Sequence, residues 1–157
     1  LRLTMFAKDW LAFLQADEPR CIQIGEIDSI IRDHLVARTT VVHIERSYVL
    51  KILTKHRLKL EELWLIEATI RHGIALEDKS KHITFIHEHP AGTDQHFQAT
   101  IKATANNGEI YVCTFHRLRP GERRRRLRQA KIIRGLLNEK GQLSCPSCAV
   151  GTPTPPT

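Results

Sequence analysis

The chain has 157 residues, 41% apolar and 26% charged, with a net charge of +7. That length holds one domain with a proper core and leaves little room for a second, and the composition excludes wholesale disorder. No apolar run reaches the roughly 20 residues a membrane-spanning helix needs, so no membrane partner is expected.

In chain order, residues 4–15 place Phe6, Trp10, Leu11 and Leu14 near a helical period, predicting a helix within an N-terminal segment of residues 1–20. The same stretch is amphipathic, unlike a signal peptide. "CIQIGEI" (21–27) alternates like a strand, and Asp28-Ser29 can cap a helix over 30–37. "RTTVVHI" (38–44) is β-branched and reads as a strand. Ser47 is placed to cap a helix "YVLKILTKH", and "LKLEELWLIEATIRH" follows as a second one after a break near Arg57. Gly73 stands where a helix C-cap glycine is expected.

From there the period changes to two. "HITFIHE" (82–88), "FQATIKATA" (97–105) and "EIYVCTFHR" (109–117) read as successive strands, and "GIALED" (73–78) adds a fourth candidate. Asn107-Gly108 signals a two-residue hairpin turn. "ERRRRLRQAKIIRGLL" after Gly121 is helix-competent, with Ala130, Ile133 and Leu137 on one side. The predicted class is α+β. N-terminal helices pack on an antiparallel meander of three to four strands over residues 21–138, followed by a basic helix and a disordered Pro/Thr-rich tail at 139–157. Cys21 and Cys113 read as small hydrophobes, and the lone C-P-S-C of Cys145 and Cys148 lacks the second ligand pair of a zinc site.

The charge is not evenly spread. Residues 117–134 hold nine basic side chains against Glu122, while the rest of the chain has fifteen basic and sixteen acidic residues. All the excess positive charge therefore sits in one segment, which favours a polyanion and predicts salt-sensitive binding. An acidic protein partner is drawn by the same field.

A two-residue turn at Asn107-Gly108 pairs Lys102 with Cys113, Ile101 with Thr114 and Ala99 with His116. One face is then apolar but for Thr114 and His116. The other carries Gln98, Thr100, Lys102, Thr104, Tyr111, Cys113, Phe115 and Arg117, a mixture that suits nucleic acid but equally describes a solvated sheet face. In "KILTKHR" (51–57), Lys51 and Lys55 share a helix side and His56 sits over the apolar stripe at the last turn. It is either a buried structural histidine or an acid–base group at a pocket edge, tuned by two lysines. His87 and His89 point the same way on a strand, but no carboxylate or cysteine completes a ligand set, since Glu88 points oppositely. Neither metal nor cofactor is expected. A ribonuclease that uses the RNA's own 2′-OH as nucleophile needs only a base, an acid and cations, all present here, whereas the acidic cluster of a two-metal nuclease is missing from the sequence.

The succession "IQIGEI … VVHIERSYVLKILTKH … LWLIEATIRHGI … KHITFIHEH … FQATIKATANNGEIYVCTFHRL", from Ile22 to Arg119, resembles the phage-type branch of the barnase–EndoU–colicin–RelE superfamily of metal-independent RNase toxin domains. Members of that branch often carry a "HIxKRH"-like helix and a Ser or Thr in the last strand. The resemblance implies that His56 is catalytic, Lys55 is its basic neighbour and Thr114 is the site hydroxyl. Lys51 stands where the branch has its first histidine. His116, two residues after Thr114, is a second acid–base candidate from geometry. Lys51, Lys81 and Lys102 are candidates for holding phosphate, with Arg117, Arg119, Arg123, Arg124 and Arg126 gripping flanking RNA. The expectation is a toxin-type endoribonuclease acting in the cytoplasm, with RNA as substrate and an acidic antitoxin or immunity protein as partner. The alternatives are a non-catalytic nucleic-acid-binding module and a protein-interaction domain for an acidic partner.

Overall fold

The computed structural model describes residues 7–119, 121–137 and 143–144. Its elements run α1 (Ala7–Gln15), β1 (Cys21–Glu26), α2 (Ser29–Leu35), β2 (Val41–Glu45), α3 (Arg46–Lys55), a short 3-10 turn (Leu60–Glu62), α4 (Leu65–His72), β3 (Ile74–Glu77), β4 (His82–Glu88), β5 (His96–Ala103), β6 (Ile110–Arg117), α5 (Glu122–Gln129), β7 (Ile132–Arg134), β8 (Leu136–Leu137) and β9 (Leu143–Ser144). The fold is α+β, as expected. Of the segment 139–157 expected to be disordered, Leu143–Ser144 instead form β9, paired antiparallel with β8, and the rest, with Cys145 and Cys148, lies outside the described residues.

The sheet is larger than a three- or four-strand meander and is not wholly antiparallel. Seven strands lie in the order β1-β2-β6-β5-β4-β3-β7. The meander β3–β6 forms its centre, but β2 joins β6 in parallel at Val42↔Ile110 and His43↔Tyr111. No hairpin signal announces that long crossover pairing. β7 pairs with β3, so the predicted basic helix stops at Gln129 and its last turns become an edge strand. The β-branched pair Ile132-Ile133 favours that outcome.

One sheet face meets α1–α4. Trp10, Phe13, Ile31, Leu35, Val49, Ile52, Leu63, Ile66 and Ile70 pack there on Ala75, Ile83, Phe85, Phe97, Ala99, Ile101, Ile110, Val112 and Phe115. Arg46 ties α1 to the start of α3: its Nε donates to Phe13 O at 2.8 Å and its guanidinium covers the Phe13 ring at 4.8 Å. The opposite face is covered on the β3–β4 side, where Leu127 and Ala130 of the arginine helix settle on Ile74, Leu76, Ile86 and Leu118. Gly73 has an ordinary φ of −67°. Its glycine is needed for close approach, because a Cβ would meet Thr69 O at 2.5 Å and Ile86 O at 2.9 Å.

The hairpin register differs from the two-residue-turn expectation. Thr104 and Glu109 close a four-residue loop, with Thr104 N–H donating to Glu109 O at 2.9 Å and Asn107 at φ +61°. The Asn106 side chain accepts from Thr104 Oγ1 and Gly108 N–H, which stabilises the wider loop. Farther along, Ile101 pairs with Val112 but Thr100 with Thr114, leaving Cys113 as the extra residue of a β-bulge. A one-residue slip turns every later side chain to the other face. Phe115 therefore enters the core, while Thr114 and His116 join Gln98, Thr100 and Lys102 on the opposite face.

Candidate active site

β2 parts from β6 after His43↔Tyr111, stays paired with β1 as far as Glu45, and turns directly into α3. Beyond residue 111 the outer edge of β6 is flanked by α3, and the Tyr48 hydroxyl accepts the Phe115 N–H at 2.7 Å. Burial pushes the Tyr48 phenol up to about 12, so it is neutral in this wedge.

Farther along the same seam two imidazoles meet. His56 is the C-cap of α3, its N–H donating to Ile52 O at 3.1 Å, and Arg57 at φ +55° turns the chain away. His116 is at the end of β6. Their ring centroids are 5.8 Å apart although sixty residues separate them in sequence. Burial, the His116 ring and the ammonium groups of Lys51 and Lys55 hold His56 below the usual imidazole range, in that order of importance. His116 Nδ1 lies 3.0 Å from Arg117 O; as the donor there it leaves Nε2 as the free nitrogen. Four expected residues, His56, His116, Lys51 and Lys55, thus come together.

Other expectations need correction. The Thr114 hydroxyl is buried without a hydrogen-bond partner among the described residues. It continues a row formed by Thr84 and Thr100, whose hydroxyls are 2.8 Å apart, so it does not reach a substrate surface. Lys81 does not approach the histidines. Its ammonium donates to Ala105 O at 2.7 Å, beside Ala103, five residues along β5 from the partner of His116, or about 17 Å away. Lys102 pairs with Tyr111, four residues from that partner, and so stands about 13 Å from the histidine level. Arg117 turns to the helix side, salt-bridged to Glu62 and 5.4 Å from the Phe97 ring centroid.

The arginine helix begins only a few residues after His116. Arg124, Arg125 and Arg128 are exposed, Arg119 is exposed just before the helix, and Arg123 and Arg126 are half-buried. Arg123 lies close enough to Glu88 to help hold its carboxyl low, after the Gly92 N–H, the largest cause, and the Asp94 N–H. Arg134 leaves the patch altogether. It is 5% exposed, bonds Asp28 Oδ2 at 2.8 Å, and donates to the carbonyls of Ile70, Arg71 and Gly73.

Contrary to the expected lack of a ligand set, Glu88, Asp94 and His96 bring one donor atom each within 4.8 Å of one another. The Glu88 carboxylate already accepts from Gly92 N–H at 2.9 Å and Asp94 N–H at 3.1 Å, which accounts for it as the anchor of the β4–β5 loop. A second aromatic row, Trp64–His89–His87–His72, runs across the helix side with centroid spacings of 4.9, 6.3 and 5.9 Å. Burial there, reinforced by His72 and His89, pushes His87 down to about 4.

Two residues near the imidazoles were missed in the sequence. Gln98, the register partner of His116, has its Oε1 buried without a partner among the described residues. Tyr48 shares a helical stripe with Lys51 and Lys55, a spacing that was legible but carried no charge to draw notice. Comparison with family models, curated proteins and solved structures gave no match.

Proposed function

We propose that this chain is a metal-independent endoribonuclease of toxin type. The supporting observation is the His56–His116 pair, whose ring centroids lie 5.8 Å apart beside two lysines. A base and an acid, each within about 3 Å of an apical oxygen on opposite sides of one phosphorus, suffice for 2′-OH transesterification. His56, kept neutral, takes the proton from the 2′-OH as that oxygen bonds to phosphorus. His116, protonated, gives a proton to the departing 5′-oxygen, and the products are a 2′,3′-cyclic phosphate and a 5′-OH. Lys51 and Lys55 stabilise the charge that builds on the equatorial oxygens.

The exposed arginines of α5 then hold flanking phosphates, and the same face suits an acidic antitoxin or immunity protein. The likeness to the barnase–EndoU–colicin–RelE superfamily supports His56 and Lys55 in these roles. Action in the cytoplasm, where the RNA is, belongs to the same reading.

The test is incubation of purified protein with RNA in EDTA. The wild type yields fragments ending in 2′,3′-cyclic phosphate. His56→Ala and His116→Ala each lose about 10²–10⁴-fold in rate, the range for removing one acid–base group. A single 2′-deoxy at the cut position abolishes cleavage there. RNA binding without fragments would instead assign the non-catalytic binding module that the arginine helix by itself supports.

A further inference from the structure

The seam between α3 and β6 does not end at the histidines. Past Tyr48 it opens into a recess of about 470 Å³ lined by Glu45, Tyr48, Lys102, Thr104, Tyr111 and Cys113. We propose that this recess is a base-binding subsite that stacks one unpaired base of single-stranded RNA flanking the nucleotide held at His56 and His116. The inference rests on the ribonuclease reading above and adds a subsite to it.

The recess exists because the sheet opens there. β2 departs from β6 after His43↔Tyr111, and the bulge leaves Cys113 without a register partner on β5, its thiol donating to Thr100 O at 3.3 Å. It is also continuous with the imidazole site. Tyr48 forms a wall, the Lys51 ammonium lies 5.9 Å from the Tyr48 ring centroid, and the same lysine acts on His56. Tyr48 and His56 are eight residues apart, about 12 Å along the helix, so an occupant here neighbours the cut without being the reacting nucleotide.

The lining selects the occupant. Two phenol rings offer flat apolar surface, and the volume is within the range of small-ligand pockets. Both hydroxyls are already committed, Tyr48 accepting from Phe115 N–H and Tyr111 donating to the Glu109 carboxylate. The Tyr111 ring is braced by His43 at 5.9 Å between centroids. The rings are therefore held before anything binds, which lowers the ordering cost of stacking. Lys102, exposed at the rim, can meet one phosphate. Glu45 across the recess opposes a second one, so a neutral planar base is preferred inside.

The experiment uses the full chain and a fluorescein-labelled RNA trimer with every 2′-OH methylated, which cannot be cleaved by transesterification. Binding is read by anisotropy. Tyr111→Ala weakens it by about tenfold or more, the scale of one lost base–aromatic stack, while Tyr111→Phe stays within about twofold of wild type. Lys8→Ala, an exposed cation on α1 that does not line the recess, binds as wild type. In parallel, maleimide labelling of Cys113, read by mass spectrometry on its peptide, slows when the trimer is bound and does not slow with an abasic trimer. Unchanged affinity in Tyr111→Ala, or Cys113 labelling indifferent to the trimer, overturns the subsite. If binding follows these expectations but unmodified RNA is never cut, the subsite stands and the catalytic reading falls. If RNA is cut with His56-dependence while Tyr111→Ala binds and cuts as wild type, catalysis stands and the subsite falls.

Discussion

Arg134 offers the sharpest test of how the basic segment divides its labour. Its guanidinium, 5% exposed, holds Asp28 Oδ2 at 2.8 Å and the carbonyls of Ile70, Arg71 and Gly73 at 3.0, 3.2 and 2.9 Å. Arg134→Met keeps most of the side-chain volume but removes all of these donors, leaving a half-buried carboxylate and three carbonyls unpaired. Breaking one side of a buried ion pair costs about 3–5 kcal/mol, and for a chain of this size that lowers Tm by roughly 6–20 °C. The assay is urea denaturation, with a lower midpoint at unchanged slope. Asp28→Asn preserves the α2 cap, because Oδ1 is the atom that accepts the Ile31 N–H, while removing the charge. The double variant then loses less than the sum of the singles by about 1 kcal/mol or more. Arg124→Met, on the exposed helix, changes stability by under about 0.5 kcal/mol. A loss below about 1 kcal/mol for Arg134→Met, or strict additivity with Asp28→Asn, would refute this account and return Arg134 to the surface patch.

Other outcomes follow from the same structure. The acid limb of kcat/KM for RNA cleavage lies below the ordinary imidazole value, since His56 must be neutral and its pKa is lowered. Replacing Lys51 and Lys55 by Gln removes two cations and moves that limb upward, and an unmoved limb would disconnect them from His56. Substituting Arg124, Arg125 and Arg128 by Gln flattens the salt dependence of single-strand RNA binding by about 2 in log–log slope, at roughly 0.7 per lost phosphate contact. An unchanged slope removes α5 from the interface. His87 makes stability fall as acid is added. Its folded value of about 4 is below its unfolded value near 6.5, so the unfolded chain takes up the proton first and stability drops as pH falls between the two. The full shift corresponds to about 3 kcal/mol, which screening at this half-buried ring reduces to about 1–2 kcal/mol. His87→Gln flattens the decline in urea midpoint between pH 6.5 and 4.5, and an equal decline in both proteins would show that other groups cause it.

The central elements could be read locally. Alternation over "HITFIHE", "FQATIKATA" and "EIYVCTFHR" became β4, β5 and β6, and "KILTKH" ended a helix at His56. The errors arose where distant contacts override local preference. Ile132 and Ile133 follow an arginine helix in sequence, but the free edge of β3 captures them as β7. The Asn107-Gly108 signal suggests two residues of turn, while the side chain of Asn106 satisfies a loop of four. At the site, Lys51, Lys55 and His56 were legible as one helix end. Lys81 was misplaced, because a cation's type does not reveal which end of a sheet it occupies.

By itself the sequence determined the class of the fold, the gathering of positive charge after residue 116 and the residue types available for acid–base chemistry. These depend on composition and short-range period, which the chain displays directly. Only the tertiary structure decided that the single extra residue at Cys113 turns His116 toward the seam and Phe115 into the core, and that the departure of β2 lets α3 bring His56 alongside. It also decided that Arg134 is buried mortar while Arg124 is surface charge. Register and crossover pairing are set by which faces can be buried together across the whole chain, and no local window contains that information.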